Sequence, residues 1–353
     1  MHAWVVVASG APLERIEMPT PEPSGTEVLI EVTHCGVCHS DIHFWDGHYD
    51  LGGGKRMLLS DRGVTLPRAI GHEILGRVAA MGPEARGVTL GERRIVYPWI
   101  GCGRCRRCMD ENDNLCANQR SLGVVQHGGF ASHVLVPHPR YLVDPGSVDP
   151  AVAATFGCSG ITVLSAIRKA LPLEPDDPIL LIGAGGLGLQ AIGLLLALGH
   201  RAIVSVDLDT AKRQAALAAG ATAVVDGGLP DVAGAIVTAA GAPVLAAIDF
   251  VNGSATAVLA YGALAKGGKV VQVGVFGGEL TLSLVGLVMR AVSIMGNNTG
   301  SIADLREVAR LAREGKLPPL PVTLMPKDDA NLAMMRLRDG QVTGRIILTS
   351  DAG

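Results

Sequence analysis

The chain has 353 residues, and because a single hydrophobic core stops growing below that length, two domains are expected. Hydrophobic residues make up 48% and charged residues 18% of the sequence, which excludes a disordered chain. The net charge of −3, with no lysine or arginine run longer than two residues, excludes an extended surface for nucleic acid or anionic membrane. The first residues form neither a basic segment nor a long apolar stretch, so a cytoplasmic protein is expected.

Residues 1–150 are predicted to be rich in β-strand. Short apolar runs at 28–32, 74–78 and 94–97 are separated by turns rich in proline and glycine. No stretch in this part has clear helical periodicity, so no helix is predicted there.

From about residue 160 to residue 297, apolar strands alternate with helices rich in alanine and leucine, which is typical of a parallel sheet. The tail is predicted to hold a helix at about 302–314, then coil and a closing strand at 345–348. The six strands of the parallel sheet are predicted at 179–182, 202–206, 223–225, 245–251, 269–275 and 291–295.

The segment 36–43 brings a thiol, a hydroxyl, a carboxylate and two imidazoles together within eight residues. We interpret Cys38 as the first of three protein ligands of a catalytic zinc. Ser40 and His43 are predicted to carry a proton away from that site.

Cys102, Cys105, Cys108 and Cys116 follow the spacing C-x2-C-x2-C-x7-C. Four thiolates so closely spaced can complete the tetrahedral coordination of one ion, so a structural zinc is predicted. The alternatives are an iron–sulfur cluster, or four buried or disulfide-bonded cysteines without a metal.

The motif Gly183-Ala184-Gly185-Gly186-Leu187-Gly188 follows the strand 179–182 and opens a helix predicted at 187–198. Asp207 ends the next strand, nineteen residues after Gly188. This pattern predicts a dinucleotide site, in which glycines admit the pyrophosphate and the acid binds the adenosine ribose. The alternative is a plain glycine-rich turn. Asp207 would repel a 2′-phosphate, so NAD is favoured over NADP, although Lys212 and Arg213 moderate that preference.

Two further zinc ligands are candidates, His72 in the triplet Gly71-His72-Glu73 and Cys158. A catalytic zinc needs three protein ligands and an open fourth position. Taken alone, His72 could equally be a turn residue and Cys158 a small buried apolar residue.

Together these motifs resemble the zinc-dependent medium-chain alcohol dehydrogenases over essentially the full chain. The resemblance rests on the segment 35–43, Gly71-His72-Glu73, the four cysteines, Gly157-Cys158 followed by Thr162, the glycine loop with Asp207, and Gly344-Arg345. It implies an α/β protein with a β-rich GroES-like catalytic domain and a doubly wound, parallel-sheet Rossmann domain. The implied boundaries are 1–160 and 299–353 for the first domain, 161–298 for the second, and about 99–118 for the structural zinc lobe.

The resemblance also implies roles for individual residues. Cys38, His72 and Cys158 would bind the catalytic zinc, with Asp41 orienting His72 and Glu73 behind the metal. Ser40 would pass the proton through the nicotinamide ribose to His43. The implied cofactor contacts are His39, Thr162, Gly183, Gly185, Gly186, Leu187, Gly188, Asp207, Lys212, Val273 and Arg345, with Thr162 behind the nicotinamide and Arg345 at the pyrophosphate.

The sequence departs from the family in two places. His39 stands where many relatives carry arginine. The chain between His43 and His72 is about ten residues longer than in the simplest relatives, and the extra residues within 50–66 are hypothesised to form a mobile flap over the substrate. Trp45 and Trp99 are predicted to be either pocket walls or core residues.

The expected activity is NAD-dependent, zinc-catalysed interconversion of a primary or secondary alcohol with its aldehyde or ketone. The alternatives are a polyol or threonine-type dehydrogenase, which Cys158 disfavours, and a catalytically silent protein that binds zinc and nucleotide. Two zinc ions per chain, NAD and a small-molecule substrate are expected, without nucleic-acid or membrane partners. A homodimer or homotetramer through the edge strand near 291–297 is also expected.

Overall fold

The structure is a computed structural model that describes residues 1–350. The strands are β1 (His2–Val6), β2 (Glu14–Glu17), β3 (Val28–Val37), β4 (His48–Asp50), β5 (Arg56–Leu58), β6 (Arg68–Ala69), β7 (Glu73–Met81), β8 (Arg93–Val96), β9 (His133–Val136), β10 (Leu142–Val143), β11 (Ile179–Ile182), β12 (Ile203–Asp207), β13 (Ala223–Asp226), β14 (Val244–Asp249), β15 (Leu264–Gln272), β16 (Ser293–Gly296), β17 (Val322–Pro326) and β18 (Arg345–Thr349).

The α-helices are α1 (His39–Asp46), α2 (Arg106–Met109), α3 (Pro150–Thr155), α4 (Ile161–Ala170), α5 (Gly186–Ala197), α6 (Thr210–Ala218), α7 (Val232–Ala240), α8 (Ser254–Ala263), α9 (Leu284–Arg290), α10 (Ile302–Arg313) and α11 (Ala330–Arg338). A π-helical segment, Phe156–Gly160, joins α3 to α4.

A seven-stranded sheet forms the framework of the N-terminal half. Its order is β10-β8-β7-β3-β18-β17, with β9 also paired to β3. Val28, Ile30 and Val32 alternate along β3 and are fully buried, as expected for a strand with one face on the core. The last strand of the chain, β18, pairs antiparallel with β3 and places Ile346 opposite Val37. The tail therefore completes the sheet that leads into Cys38.

A six-stranded parallel sheet forms the second unit, in the order β13-β12-β11-β14-β15-β16. The central strand β11 is buried at all four positions, which explains its uninterrupted apolar sequence. The strand order reverses direction between β11 and β14, and ligands of such sheets bind at this reversal. The predicted α/β architecture with a parallel sheet is confirmed.

Four α-helical regions were not predicted from the sequence. They are α1, the short α2 in the cysteine lobe, the continuous stretch 150–170, and α11, in a tail predicted as coil. In α1 the buried residues include the charged Asp41 beside apolar residues, so no clean apolar face is visible in the sequence. The stretch 150–170 is long and apolar enough to cross a membrane, but 83% of an apolar 18-residue window within it is buried inside the protein, as in a core helix.

The boundaries of the predicted strands differ from the structure by a few residues. The strand predicted at 245–251 ends at Asp249, and the one predicted at 269–275 begins earlier, at Leu264, and ends at Gln272. The sheet that β18 and β17 complete is consistent with a first domain made from both ends of the chain. The final residues of the predicted segment 299–353, residues 351–353, lie outside the described residues.

Candidate active site

Cys38, His72 and Cys158 converge at the end of the N-terminal sheet. Their ligand atoms all lie within 4.8 Å of one another. Cys38 is the N-cap of α1, directly after β3, and His72 directly precedes the neighbouring strand β7. Because β3 and β7 are paired, the sheet brings two residues that are 34 positions apart in sequence into contact.

Asp41 fixes the orientation of His72. Its Oδ1 accepts a hydrogen bond from His72 Nδ1 at 3.1 Å and another from the Gly71 N–H at 3.0 Å. The other ring nitrogen, His72 Nε2, is buried and has no hydrogen-bond partner among residues 1–350. A buried nitrogen without a partner, facing two thiols, fits a metal ligand.

The thiols complete a donor set suited to zinc. A hydrogen bond from the Cys158 thiol, which outweighs burial, lowers the pKa of Cys38 well below its usual value. Two sulfurs and one imidazole nitrogen are the ligands of a catalytic zinc with one open position. The residues present therefore fit the metal.

Cys158 lies in the π-helical segment Phe156–Gly160. Such segments interrupt α-helices frequently at functional sites, because the extra residue per turn changes the direction of its side chains. The Gly157 carbonyl accepts a hydrogen bond from Trp99 Nε1 at 3.1 Å, and the Ser159 N–H donates to Glu73 at 3.1 Å. These contacts hold the segment against the sheet that carries His72.

Glu73 and Arg345 form a buried ion pair beside the metal cluster. Burial raises the pKa of Glu73. Burial alone would lower the pKa of Arg345, but the neighbouring Glu73 carboxylate raises it above its usual value. A Cβ atom on Gly36 would overlap the Glu73 side chain, and one on Gly186 would overlap Arg345. Arg345 therefore lies between Glu73 and the start of α5, next to the glycine loop, and its contact with a pyrophosphate stays a prediction.

The two residues predicted to carry the proton lie on α1. Ser40 lines the cleft beside Cys38, and His43, one turn later, is half-buried with its ring centroid 4.9 Å from that of Tyr49. Burial lowers the pKa of His43. No hydrogen bond joins Ser40 to His43 within residues 1–350, so the predicted relay stays a prediction. His39 is exposed on the same helix.

The glycine loop has the geometry that its sequence predicts. Gly183 has φ 95°, in the left-handed region, and a Cβ on Gly188 would overlap the Gly183 carbonyl oxygen. Asp207 ends β12, and its two oxygens accept hydrogen bonds from the N–H groups of Ala184 at 2.8 Å and Asp209 at 2.9 Å. The carboxylate thus lies against the loop.

The two cations near Asp207 differ in their surroundings. Arg213 donates to the carbonyls of Asp207 and Leu208 and pairs with Asp226 at 3.0 Å. Lys212 is half-buried on the first turn of α6. The guanidinium is therefore already bound within the protein.

One cleft of 980 Å³ joins the metal cluster to the parallel sheet. Cys38, Cys158, Thr162, Leu187 and Val273 all line it. The hydroxyl of Thr162 is buried and has no partner among residues 1–350. Two of the three predicted metal ligands, Cys38 and Cys158, thus share one cleft with three predicted cofactor contacts.

The additional segment within 50–66 is largely a β-hairpin rather than a plain loop. Strands β4 and β5 pair antiparallel, and residues on both strands line the cleft. A Cβ on Gly52 would come within 2.8 Å of the Gly278 backbone, so the hairpin contacts the parallel-sheet unit. The hairpin lines the cleft, in agreement with the predicted position at the substrate mouth. The mobility of the hairpin stays a prediction.

The two tryptophans have different environments. Trp99 lines the cleft, with its ring centroid 5.3 Å from that of His72. Trp45 does not line it; its indole N–H donates to the Ala11 carbonyl and its ring packs under Arg338. Trp45 is therefore a core residue.

Sequence reasoning missed Phe44 and Tyr49, which also line the cleft, although their position after the Cys38 segment was a usable signal.

The four cysteines of the lobe gather around one point. The sulfur of Cys105 lies 3.5 Å from that of Cys108 and 3.8 Å from that of Cys116, and all four sulfurs lie within 4.8 Å of one another. All are free thiols, which excludes the disulfide alternative. Backbone hydrogen bonds from Arg104 and Cys105 lower the pKa of Cys102 to about 6. The cluster fits a tetrahedral zinc.

Comparisons with known proteins agree with this geometry. The family model described as alcohol dehydrogenase GroES-like domain matches residues 24–145, and the one described as zinc-binding dehydrogenase matches residues 186–314. An NAD-dependent alcohol dehydrogenase of Sulfurisphaera tokodaii is 36% identical over 351 residues, covering 99% of each chain.

Two further relatives extend the comparison. A D-arabinose 1-dehydrogenase (NADP(+)) of Saccharolobus solfataricus is 33% identical over 96% of this chain and 94% of its own. The crystal structure of the alcohol dehydrogenase from Aeropyrum pernix superposes with a TM-score of 0.90, at 27% identity, over 99% of this chain and 100% of the other.

Proposed function

The chain belongs to the zinc-dependent medium-chain alcohol dehydrogenases, and we propose that Cys38, His72 and Cys158 hold its catalytic zinc. Its activity is the NAD-dependent oxidation of an alcohol. The observation that carries the ligand assignment is the buried, unpartnered Nε2 of His72 beside the two thiols.

The chemistry divides between the bound groups and the chain. When bound, zinc supplies Lewis-acid polarisation of the substrate oxygen, and NAD supplies the hydride acceptor. The chain orients His72 through Asp41 and excludes water by burying Cys38, His72 and Cys158. Thr162, Leu187 and Val273 line the same cleft and are assigned to the nicotinamide ring of the cofactor.

The hydroxyl proton of the substrate must leave separately from the hydride. Ser40 lies in the cleft beside Cys38 and is assigned as the first group to take it. His43, half-buried on the same helix, is assigned as the outlet to solvent. The pKa of His43 is lowered, so its imidazole stays neutral at pH values somewhat below the usual pKa of histidine. A neutral imidazole can accept a proton.

The cofactor is assigned as NAD rather than NADP. Asp207 places a negative charge where the adenosine ribose is expected, and Arg213 is already paired with Asp226 and two carbonyls. A 2′-phosphate would meet this carboxylate without a free guanidinium to offset it. Lys212 is the remaining cation nearby and limits the preference.

We assign two zinc ions per chain, the second one in the four-cysteine lobe. The free cysteines also favour a reducing compartment, the cytoplasm. The domain boundaries proposed are those from the sequence, with 161–298 inserted between 1–160 and 299–353; the strands β17 and β18 in the N-terminal sheet support them.

A homo-oligomer, a dimer or tetramer, is proposed through the edge of the parallel sheet. The strand β16 is the outer strand, and the adjacent helix α9 exposes Leu284 at 78% and Val288 at 74% of their surface. An uncovered edge strand beside an apolar helix favours pairing with a second copy.

Substitution of the thiols tests the ligand assignment. Cys38→Ser and Cys158→Ser are expected to reduce the zinc content from two ions to one and to abolish NADH formation from a panel of alcohols. Cys35→Ser is the matched control, because Cys35 is buried in the same core but lies outside both clusters. Full zinc content and activity in the Cys38 and Cys158 variants would contradict the assignment.

A further inference from the structure

Aromatic side chains are concentrated at the metal end of the cleft, although they are rare in the chain. Phe, Trp and Tyr make up 3% of the residues, yet Phe44, Tyr49 and Trp99 all line the cleft together with Cys38 and Cys158. Because aromatic residues are rare in this chain, three of them at one cleft indicate that the cleft is adapted to a particular ligand.

The rings are fixed in place by contacts with one another and with His72. Tyr49 and Phe44 meet edge to face with centroids 6.4 Å apart, and Phe44 meets His72 edge to face at 5.9 Å. Phe44 and Trp99 are each only 8% exposed, so they are packed against the protein and border the cleft as rigid surfaces. Such surfaces favour a flat aromatic ligand through edge-to-face and offset contacts.

Aliphatic side chains also line this cleft, together with polar ones such as Gln119 and Ser121. Met57 and Leu59 come from the hairpin side, and Val124 and Val125 from a turn that follows the cysteine lobe. A short aliphatic alcohol would leave much of this surface uncovered, whereas a ring would contact it on several sides. The methionine thioether adds a favourable contact for an aromatic edge.

Tyr49 adds one polar group to this apolar region. Its ring packs against His43 at 4.9 Å, which holds the phenol in position. Its hydroxyl has no hydrogen-bond partner within residues 1–350, and the half-buried side chain lines the cleft, so the hydroxyl is open to a ligand. A hydroxyl that no protein group binds, at the wall of a ligand cleft, can donate a hydrogen bond to a polar group of the ligand.

We propose that the preferred substrate is an alcohol whose reacting carbon is attached to an aromatic ring bearing an oxygen substituent, to which the Tyr49 hydroxyl donates. This inference rests on the proposed function and specifies its substrate class. Phe44 and Trp99 select the ring, and Tyr49 selects the substituent. The reaction remains hydride transfer to NAD with release of the hydroxyl proton, so it needs no further reactant.

The test compares matched alcohols on the zinc-loaded protein by NADH fluorescence. The probes are meta-hydroxybenzyl alcohol, benzyl alcohol, cyclohexylmethanol and hexanol. We expect kcat/KM to fall in that order, with a step of about tenfold between the first two, the size of one hydrogen bond to a neutral donor.

Two variants separate the contributions of the ring and the substituent. Tyr49→Phe is expected to remove most of the advantage of meta-hydroxybenzyl alcohol over benzyl alcohol, and Phe44→Leu to reduce the advantage of benzyl alcohol over cyclohexylmethanol. Each result is the ratio of two kcat/KM values measured on the same variant. A partial loss of folded protein lowers both values equally and does not change the ratio. Tyr261→Phe is the matched control, because Tyr261 lies on α8 outside the cleft and packs under Arg290.

The outcomes distinguish this inference from the proposed function. Equal oxidation of hexanol and the benzylic alcohols would overturn the substrate class and leave alcohol oxidation intact. An unchanged ratio in Tyr49→Phe would overturn the role of its hydroxyl. Failure of the zinc-loaded wild type to oxidise any alcohol with NAD would instead overturn the proposed function itself.

Discussion

Asp41 Oδ1 lies 3.1 Å from His72 Nδ1, and both side chains are completely buried. The same carboxylate accepts the N–H groups of Cys38 at 2.9 Å and Gly71 at 3.0 Å. Asp41 therefore positions two of the three proposed metal ligands: it binds the side chain of His72 and the backbone N–H of Cys38.

Asp41→Asn is expected to weaken zinc binding at the catalytic site by about 10- to 100-fold, because an amide is a weaker acceptor for the imidazole N–H. The measurement is the zinc remaining after dialysis against graded chelator. Asp46→Asn, at the exposed end of the same helix, is the control and should match the wild type. Equal retention in both variants would show that Asp41 has no role at the metal.

Arg345→Met is expected to cost about 3–5 kcal/mol of unfolding free energy, because it leaves the Glu73 carboxylate buried without its partner. The double variant Glu73→Gln with Arg345→Met should recover much of this loss. Denaturant unfolding at constant zinc concentration measures both, and additive losses would show that the pair is not coupled.

The same variant should show a defined pH dependence. Burial raises the pKa of Glu73 in the folded protein, and loss of Arg345 raises it further, so the folded state binds a proton that the unfolded state has released. The variant is then most stable below the unfolded-state pKa of glutamate and loses stability as the pH rises towards the folded-state pKa. Its deficit relative to wild type should therefore shrink as the pH is lowered; a deficit independent of pH would contradict this account.

Gly188→Ala is expected to abolish NAD binding and to lower the melting temperature, because its Cβ would overlap the Gly183 carbonyl oxygen. Gly262→Ala is the control, since a Cβ in helix α8 meets nothing within 4 Å and should stabilise the protein slightly. NADH fluorescence titration and thermal unfolding give the two readouts. Normal cofactor binding by Gly188→Ala would mean that the loop tolerates a shift.

Asp207→Ala is expected to raise the ratio of NADP to NAD use by about tenfold or more, because it removes a charge that opposes the 2′-phosphate. Asp209→Ala serves as control: it removes the N-cap of α6 and should lower stability without changing the cofactor ratio. Steady-state rates with both cofactors provide the comparison. An unchanged ratio of NADP to NAD use in Asp207→Ala would show that residues other than Asp207 select the cofactor.

His43→Ala is expected to slow alcohol oxidation at neutral pH while leaving the zinc content unchanged. In the wild type, the acid limb of the rate should lie below the usual pKa of histidine, because burial lowers the pKa of His43. His138→Ala, at an exposed position outside the cleft, should keep the wild-type profile. Identical pH profiles for wild type and His43→Ala would remove His43 from the proton path.

The metal clusters could be predicted from the sequence because their chemistry is local. The four lobe cysteines fall within fifteen residues, and Cys38 lies in a segment with Ser40 and His43. The convergence of Cys38, His72 and Cys158 depends instead on β3 pairing with β7 and on a π-helical segment. Spacing alone left His72 and Cys158 ambiguous, and the resemblance to a family supplied the grouping.

The parallel sheet was predictable for the same reason, since β11 carries an uninterrupted apolar run before the glycine loop. The partner of Arg345 was not, because Glu73 lies 272 positions earlier in the chain and only the β3–β18 pairing brings them together. The core position of Trp45 was equally hidden, because it depends on the docking of α11.

The pairing of β18 with β3 also affects how the protein is made. Ile346 lies opposite Val37, so the end of β3 that leads into Cys38, residues 34–37, keeps an unpaired edge until residues 345–349 have left the ribosome. The inserted parallel sheet, with mostly local connections, can fold before that point. During synthesis, the nascent chain must therefore keep an exposed strand edge from aggregating, and C-terminal truncations should be far less soluble than their small size suggests.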